Sequence, residues 1–156
     1  MLDHLLCLLP VSLLTALPLL ADGKAQSYCI TSPNSVGAGA HLAWVGPVNL
    51  DEGALLVTGA PADQGGLFIY GTGRALTPLF QGYSCFPRPR LIFAAKRLSD
   101  QGTCVLAFAQ GVAASELANL QALADAGVEL SFQYVYSDPA AGVNVANATD
   151  AVAAQF

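Results

Sequence analysis

The stretch "VELSFQYVYSDPAAG", residues 128–142, decides how the chain is read. Leu130, Phe132, Tyr134 and Tyr136 alternate with Ser131, Gln133, Val135 and Ser137. Side chains along a strand point to opposite faces with period two, so the four apolar residues share one face. That face is expected to lie in a core. Glu129, Ser131, Gln133 and Ser137 share the other face and are expected in solvent, as in a sheet packed on one side only. Asp138, Pro139 and Gly142 then stop the strand: Pro fixes φ and Gly frees it. The competing possibility is a binding edge that displays its tyrosines. The core assignment requires partners for the tyrosine hydroxyls near the strand end.

Outward from this strand, short apolar runs alternate with turn residues. "HLAWVG" (41–46), "ALLVTG" (54–59), "GLFIYG" (66–71), "RLIFAAKRL" (90–98), "TCVLAFA" (103–109) and "TDAVAAQF" (149–156) are each bounded by Gly, Pro, Asn or Asp or by the chain end. Strands of this length and spacing predict an all-β antiparallel sandwich, jelly-roll-like. One segment dissents. "ASELANLQALADAG" (114–127) places Leu117, Leu120 and Leu123 at helical spacing, with Ser115 able to cap its start and Gly127 able to end it. It predicts one short helix near residues 114–126, on a crossover between two strands.

The chain of 156 residues suffices for one domain. Its apolar excess, 54% hydrophobic against 11% charged, gathers partly at the start. Leu5 to Leu20 is almost wholly apolar, and Gly23 and Ala25 follow at signal-peptidase spacing. Residues 1–25 are expected to be a secretory signal peptide cut before Gln26, leaving a single domain over 26–156. The alternative is a retained anchor, but the run is short of the ~20 residues a spanning helix needs. The expected location is secreted or cell envelope, with no membrane attachment after cleavage. Beyond residue 25, nine acids face five bases, a balance that argues against nucleic-acid binding.

The order of short motifs carries a resemblance. "YC" (28–29), "PNSVG" (33–37), "GLFIYG" (66–71), "PLFQGYSC" (78–85), "FQYVYSDP" (132–139) and "NATDA" (147–151) follow one another here. In that order they resemble a secreted β-sandwich domain found at the carboxyl end of planctomycete-type extracellular proteins, over roughly residues 27–156. The resemblance implies place and fold, with no enzymatic activity attached. Two positions depart from it: Ser137 stands where the family has Arg, and Val135 where it has an aromatic residue.

Export favours disulfides, and three cysteines remain beyond the leader: Cys29, Cys85 and Cys104. The resemblance implies a Cys29–Cys85 bridge, with Cys104 in "TCVLAF" as a free, buried thiol acting as a small hydrophobe. Cys85–Cys104 is the alternative pairing.

No residue set spells out a catalytic centre. His41 is the one histidine beyond the leader, so zinc binding or a Ser–His arrangement has a single imidazole to work with, and a structural role is expected. Asp51 and Glu52 read as turn acids. Asp138, Asn144, Asn147 and Asp150 could offer calcium hard oxygen ligands, but their spacing fits no loop signature, and a turn hydrogen-bond network is expected. "GTGR" (71–74) is too short to cradle phosphate. Arg88, Arg90, Lys96 and Arg97 crowd into ten positions. They read as a charged edge strand, or else as a patch for an anionic partner. The expectation is a non-enzymatic extracytoplasmic module, structural or adhesive, with no cofactor. Its partner is expected to be envelope polysaccharide or another surface protein. The alternative is a carbohydrate- or small-ligand-binding sandwich.

Overall fold

The computed structural model describes residues 23–88, 90–139 and 145–156, with main chain only for 90–95. The expected leader run and Asn144 lie outside the described residues. The strands are β1 (Lys24–Tyr28), β2 (His41–Val45), β3 (Ala54–Thr58), β4 (Gly65–Thr72), β5 (Thr77–Leu79), β6 (Gly82–Ser84), β7 (Arg90–Arg97), β8 (Cys104–Ala107), β9 (Leu130–Asp138) and β10 (Val145–Gln155). A short helix α1 (Phe108–Gly111) and a longer one, α2 (Ala114–Asp125), join β8 to β9. The fold is all-β and every strand pairing is antiparallel.

Three sheets form. The largest runs β1-β10-β9-β4-β7, the second β2-β3-β8, and the third is the β5-β6 hairpin. The opening stretch supplies the middle strand of the large sheet. Its register sets Phe68 of β4 opposite Tyr134, Tyr70 opposite Phe132, and Val152 of β10 opposite Phe132 on the other side. These residues share one core with Leu42, Leu55, Val57 and Leu106 of the three-stranded sheet. The two sheets therefore bury each other's inner faces. Trp44 of β2 extends the contact, with its ring 5.2 Å from Phe108 and 6.1 Å from Phe132.

The tyrosines are core, as expected. Tyr134 is wholly buried and Tyr136 nearly so. Their hydroxyls find partners: Tyr134 donates to the Lys96 carbonyl at 2.8 Å, and Tyr136 accepts from the Asn34 amide at 3.2 Å. Burial raises the pKa of both phenols above the usual range, so they stay neutral.

The helix lies where the leucine spacing puts it. Leu120 is fully buried, and Leu117 and Leu123 pack against the core. Tyr70 donates to Glu116 Oε1 at 2.8 Å, tying α2 to β4. Its start departs from expectation: the N-cap is Ala113, with no side-chain cap, so Ser115 already lies inside the helix. Gly127 ends it with φ +71°, a left-handed position that glycine takes without steric cost. "TCVLAFA" also departs. Only Cys104–Ala107 is strand, and Phe108 turns into α1 to reach Trp44 and Phe132.

The second face of β9 overturns the one-sided expectation. Ser131 and Gln133 are wholly buried, while Glu129 and Ser137 are half-buried. The cause is a cover that the strand's own pattern does not announce. The β5-β6 hairpin and residues 84–86 lie over this face, and Cys85 and Phe86 join Ile69 and Ala151 in a small second core. A Cβ on Gly82 would stand 2.8 Å from Asn147 Oδ1 and 3.1 Å from the Ala148 nitrogen, so the hairpin approaches β10 closely only with glycine there. Cys29 and Cys85 form the disulfide, which fixes the β1 end to this cover, and Cys104 is free and buried.

Replacing Phe132 or Tyr134 by Ala removes a wholly buried aromatic ring. Each should cost about 3–5 kcal/mol in urea unfolding. A Tyr134→Ala protein that unfolds like the parent would place this strand face outside the core.

Candidate functional site

The motif residues converge on two places, and both are hydrogen-bonded through. The first holds loop 33–37 against β9 and β10. Asn34 donates to the Gly59 carbonyl at 2.8 Å and to Tyr136. The Ser35 N–H donates to both oxygens of Asp138 at 3.2 Å. Asn147 donates to the Pro33 carbonyl at 3.0 Å and to Asp138 Oδ2 at 3.5 Å. Asp138 and Asn147 are wholly buried. A carboxyl group taken out of water needs such donors to offset its lost hydration.

The second place centres on Gln133. Its amide nitrogen donates to the Tyr83 carbonyl at 2.6 Å and the Thr149 carbonyl at 2.7 Å, and its oxygen accepts from the Cys85 N–H at 3.3 Å. Both N–H donors and the carbonyl are thus occupied. Around this amide, Tyr28 donates its hydroxyl to the Cys85 carbonyl at 2.9 Å. Arg74 stands 4.6 Å over the Tyr28 ring and forms a two-bond fork to Glu129, each bond 3.0 Å. That fork holds the Glu129 carboxyl below its usual range, but the pair is largely exposed and stabilises little. Sequence reasoning missed Gln133, Arg74 and Glu129 as partners. The one signal was a glutamine between two aromatic positions of an otherwise well-patterned strand.

His41 has the expected structural setting. Its Nδ1 lies 3.1 Å from Asp150 Oδ2, and Asp150 Oδ1 accepts the Leu42 N–H at 2.7 Å. Asp150 sits at the irregularity between Ala148 and Ala151, where the β9–β10 register shifts. The bulge turns its carboxylate from β10 towards β2 and so links the two sheets. The neighbouring Thr149 hydroxyl accepts from Tyr134 N–H and donates to the Asp150 carbonyl, so it is already committed.

The described members of the acidic and amide group, expected to form a turn hydrogen-bond network, serve two separate contacts. Asp138 and Asn147 serve loop 33–37, and Asp150 serves β2. Among the described residues no three His, Cys, Asp or Glu side chains gather in a way that could hold a metal. The basic group lies along one border. β7 is the outer strand of the large sheet, paired to β4 alone, and its register shifts where Leu67 and Ile69 of β4 meet Ala95 and Leu91 of β7. Arg88 and Arg97 are exposed and Lys96 is half-buried, while the Arg90 side chain lies outside the described residues. A bulged, positively charged outer strand resists edge-to-edge pairing.

Among the described residues, two open surfaces stand close to these elements. The outward side of the β5-β6 hairpin carries Leu76, Pro78 and Phe80, all exposed, with Phe80 at φ +55° in the turn. A groove of about 620 Å³ runs between β1 and β2, lined by Lys24, Ala25, Ser27, Ala43 and Trp44, with Val152 among its other lining residues. Comparison of the chain with protein-family models, with curated proteins and with solved structures finds no match.

Gln133→Ala leaves the Cys85 N–H and the Tyr83 and Thr149 carbonyls without their partner in a buried site. The expected loss is about 2–4 kcal/mol of unfolding free energy. A loss below about 0.5 kcal/mol, the behaviour of a solvent-facing side chain, would contradict the site as described.

Proposed function

We propose that the chain is a non-enzymatic extracytoplasmic module, structural or adhesive, that works at the cell surface or in a secreted assembly. The observation that carries this reading is the Cys29–Cys85 disulfide, set between the termini of two separate motifs and built into the second core. Disulfides persist in oxidising compartments. A bridge across a sequence separation of 56 residues stabilises by about 4 kcal/mol in the loop-entropy model. The motif side chains support the same reading. Asn34, Gln133, Asp138 and Asn147 serve internal contacts and leave little to present to a substrate.

The apolar leader would deliver the chain out of the cytoplasm. We place its removal ahead of Lys24 rather than before Gln26. Lys24 pairs with Gln155 and Ala25 with Ala154, and a cut before Gln26 would take two of the five pairs from β1. A carbohydrate-binding role is the second reading. It is favoured by Phe80, an aromatic ring 71% exposed on a hairpin turn whose left-handed backbone costs energy that burial does not offset.

Thiol counting in protein taken from its native source tests the location. The chain has four cysteines. Burial pushes the Cys104 thiol's pKa up, so the folded protein should react slowly with an alkylating reagent. Unfolded without reductant, an exported and processed chain should take one label, at Cys104. Two labels, at Cys7 and Cys104, would show a retained leader. Four labels would show a reduced chain and overturn the extracytoplasmic reading.

A further inference from the structure

We propose that the groove between β1 and β2 receives an extended polypeptide segment from a partner chain, which pairs with the outer border of β1 as a sixth strand of the large sheet. This rests on the reading of the chain as an assembly module and names the chemistry of its partner.

Hydrogen-bond parity decides which main-chain groups face the groove. In an antiparallel ladder, alternate residues of a strand direct both N–H and C=O to the same neighbour. The Tyr134 N–H points towards β10, where it meets Thr149 Oγ1. Leu130 and Phe132, on the same parity, therefore bond to Ala154 and Val152. Ala151, Ala153 and Gln155 then face β1, and bond to Tyr28, Gln26 and Lys24. An independent bond agrees. The Ala146 carbonyl, beyond the bulge, points away from β9 and accepts the Gln81 N–H at 3.2 Å. Ala25 and Ser27 are left with main-chain N–H and C=O directed outward, and no partner for them stands among the described residues.

The facing wall gives a different result. Phe108 N–H donates to the Gly53 carbonyl, so odd-numbered β3 residues serve β8 and even-numbered ones serve β2. Leu42 and Trp44 therefore face outward from β2. Leu42 is already satisfied: its N–H goes to Asp150 and its carbonyl accepts from the Ser27 hydroxyl at 3.4 Å. The Ser27 side chain thus closes one end of the groove, and the other end opens between Lys24–Ala25 and Trp44–Gly46. Among the described residues β1 consequently offers the longer unpaired border, two residues at strand spacing, against Trp44 alone on β2.

The lining suits a main chain. Ala25, Ser27, Ala43 and Gly46 are small and let a backbone come close, while Trp44, Val48 and Val152 supply apolar contact for alternate side chains. The opposite border of the large sheet is defended. β7 is bulged and carries Lys96 and Arg97. β1 bears one cation, Lys24, and lies flat against β10 with no register shift. Strand addition of this kind takes affinity from main-chain bonds and specificity from alternate side chains. The partner segment is a neutral stretch with apolar residues at every second position. Five residues of β1 present about 17 Å of border at ~3.3 Å per residue.

Trp44 is the chain's one tryptophan and lines the groove, so its fluorescence reports occupancy. The probe is a panel of acetylated octapeptides alternating Val or Ile with Thr or Ser, titrated into the purified chain. The expected result is a saturable emission change for members of the panel. It should vanish when the same peptides carry N-methyl groups on the residues that face β1, which keeps side chains and removes donors. Ala25→Pro supplies the matching change in the protein. Its lost N–H points outward, so the β1–β10 ladder and the melting temperature should hold. Binding should weaken about tenfold or more, the loss of a main-chain bond with added steric obstruction. N-methylated peptides binding as well as their parents, Ala25→Pro binding as well as the native chain, or no member of the panel binding would each overturn the proposal. Thiol counts in cells do not depend on any of these, so a failed groove leaves the location reading standing, and the converse holds.

Discussion

The side-chain amide of Gln133 is the interaction on which the rest of the structure depends. It lies at the centre of β9, itself the centre of the large sheet. With three hydrogen bonds it joins that sheet to the hairpin at Tyr83, to the disulfide segment at Cys85 and to the bulge at Thr149. An amide has no charge to desolvate, yet leaving it unpaired inside a protein costs several kcal/mol. The hairpin cover and the glutamine therefore require each other. Without the cover the amide would be solvated and neutral in effect. Without the amide the cover would bury the Cys85 N–H and two carbonyls with nothing between them.

This constraint shows how a sheet with polar residues on one face comes to be covered on both. The inner face is closed by aromatic and aliphatic packing against β2, β3, β8 and α2. The outer face is closed by a few polar bonds, one disulfide and a small apolar cluster. The bulge at Thr149 and Asp150 serves both sides: Thr149 offers its carbonyl to Gln133, and Asp150 clamps β2. The motif sequence of the chain is thus a fold specification. Asn34 and Ser35 pin to Tyr136 and Asp138, Cys29 pins to Cys85, and each contact joins segments far apart in the chain.

Much of this was legible in the sequence, for physical reasons that differ by element. β9's inner face could be read because aromatic residues recurring at period two lose the most by staying in water and so mark the buried side of a strand. α2 could be read because Leu117, Leu120 and Leu123 recur at helical spacing and Gly127 permits the left-handed stop. The Cys29–Cys85 pairing came from resemblance, since three cysteines alone leave the pairing open. The hairpin "TPLFQGYS" could not be placed, because three-residue strands carry too little pattern to reveal where they lie. Ser131 and Gln133 were read as wet because polarity alone does not separate a solvated side chain from a buried one that has found partners. The groove depends on which main-chain groups lack partners, and that is fixed by register, which the side-chain pattern does not encode.

A double-mutant cycle between Gln133 and the disulfide tests the central claim most directly. Unfolding free energies would be measured for the native chain, Gln133→Ala, the Cys29→Ser/Cys85→Ser pair, and all three changes together. If the amide and the bridge hold one shared cover, removing the bridge loosens the hairpin and lets water reach Gln133. The glutamine change should then cost clearly less without the bridge, by about 1 kcal/mol or more of coupling. Additivity within about 0.3–0.5 kcal/mol would show that the two act independently, and that the amide does not hold the cover in place.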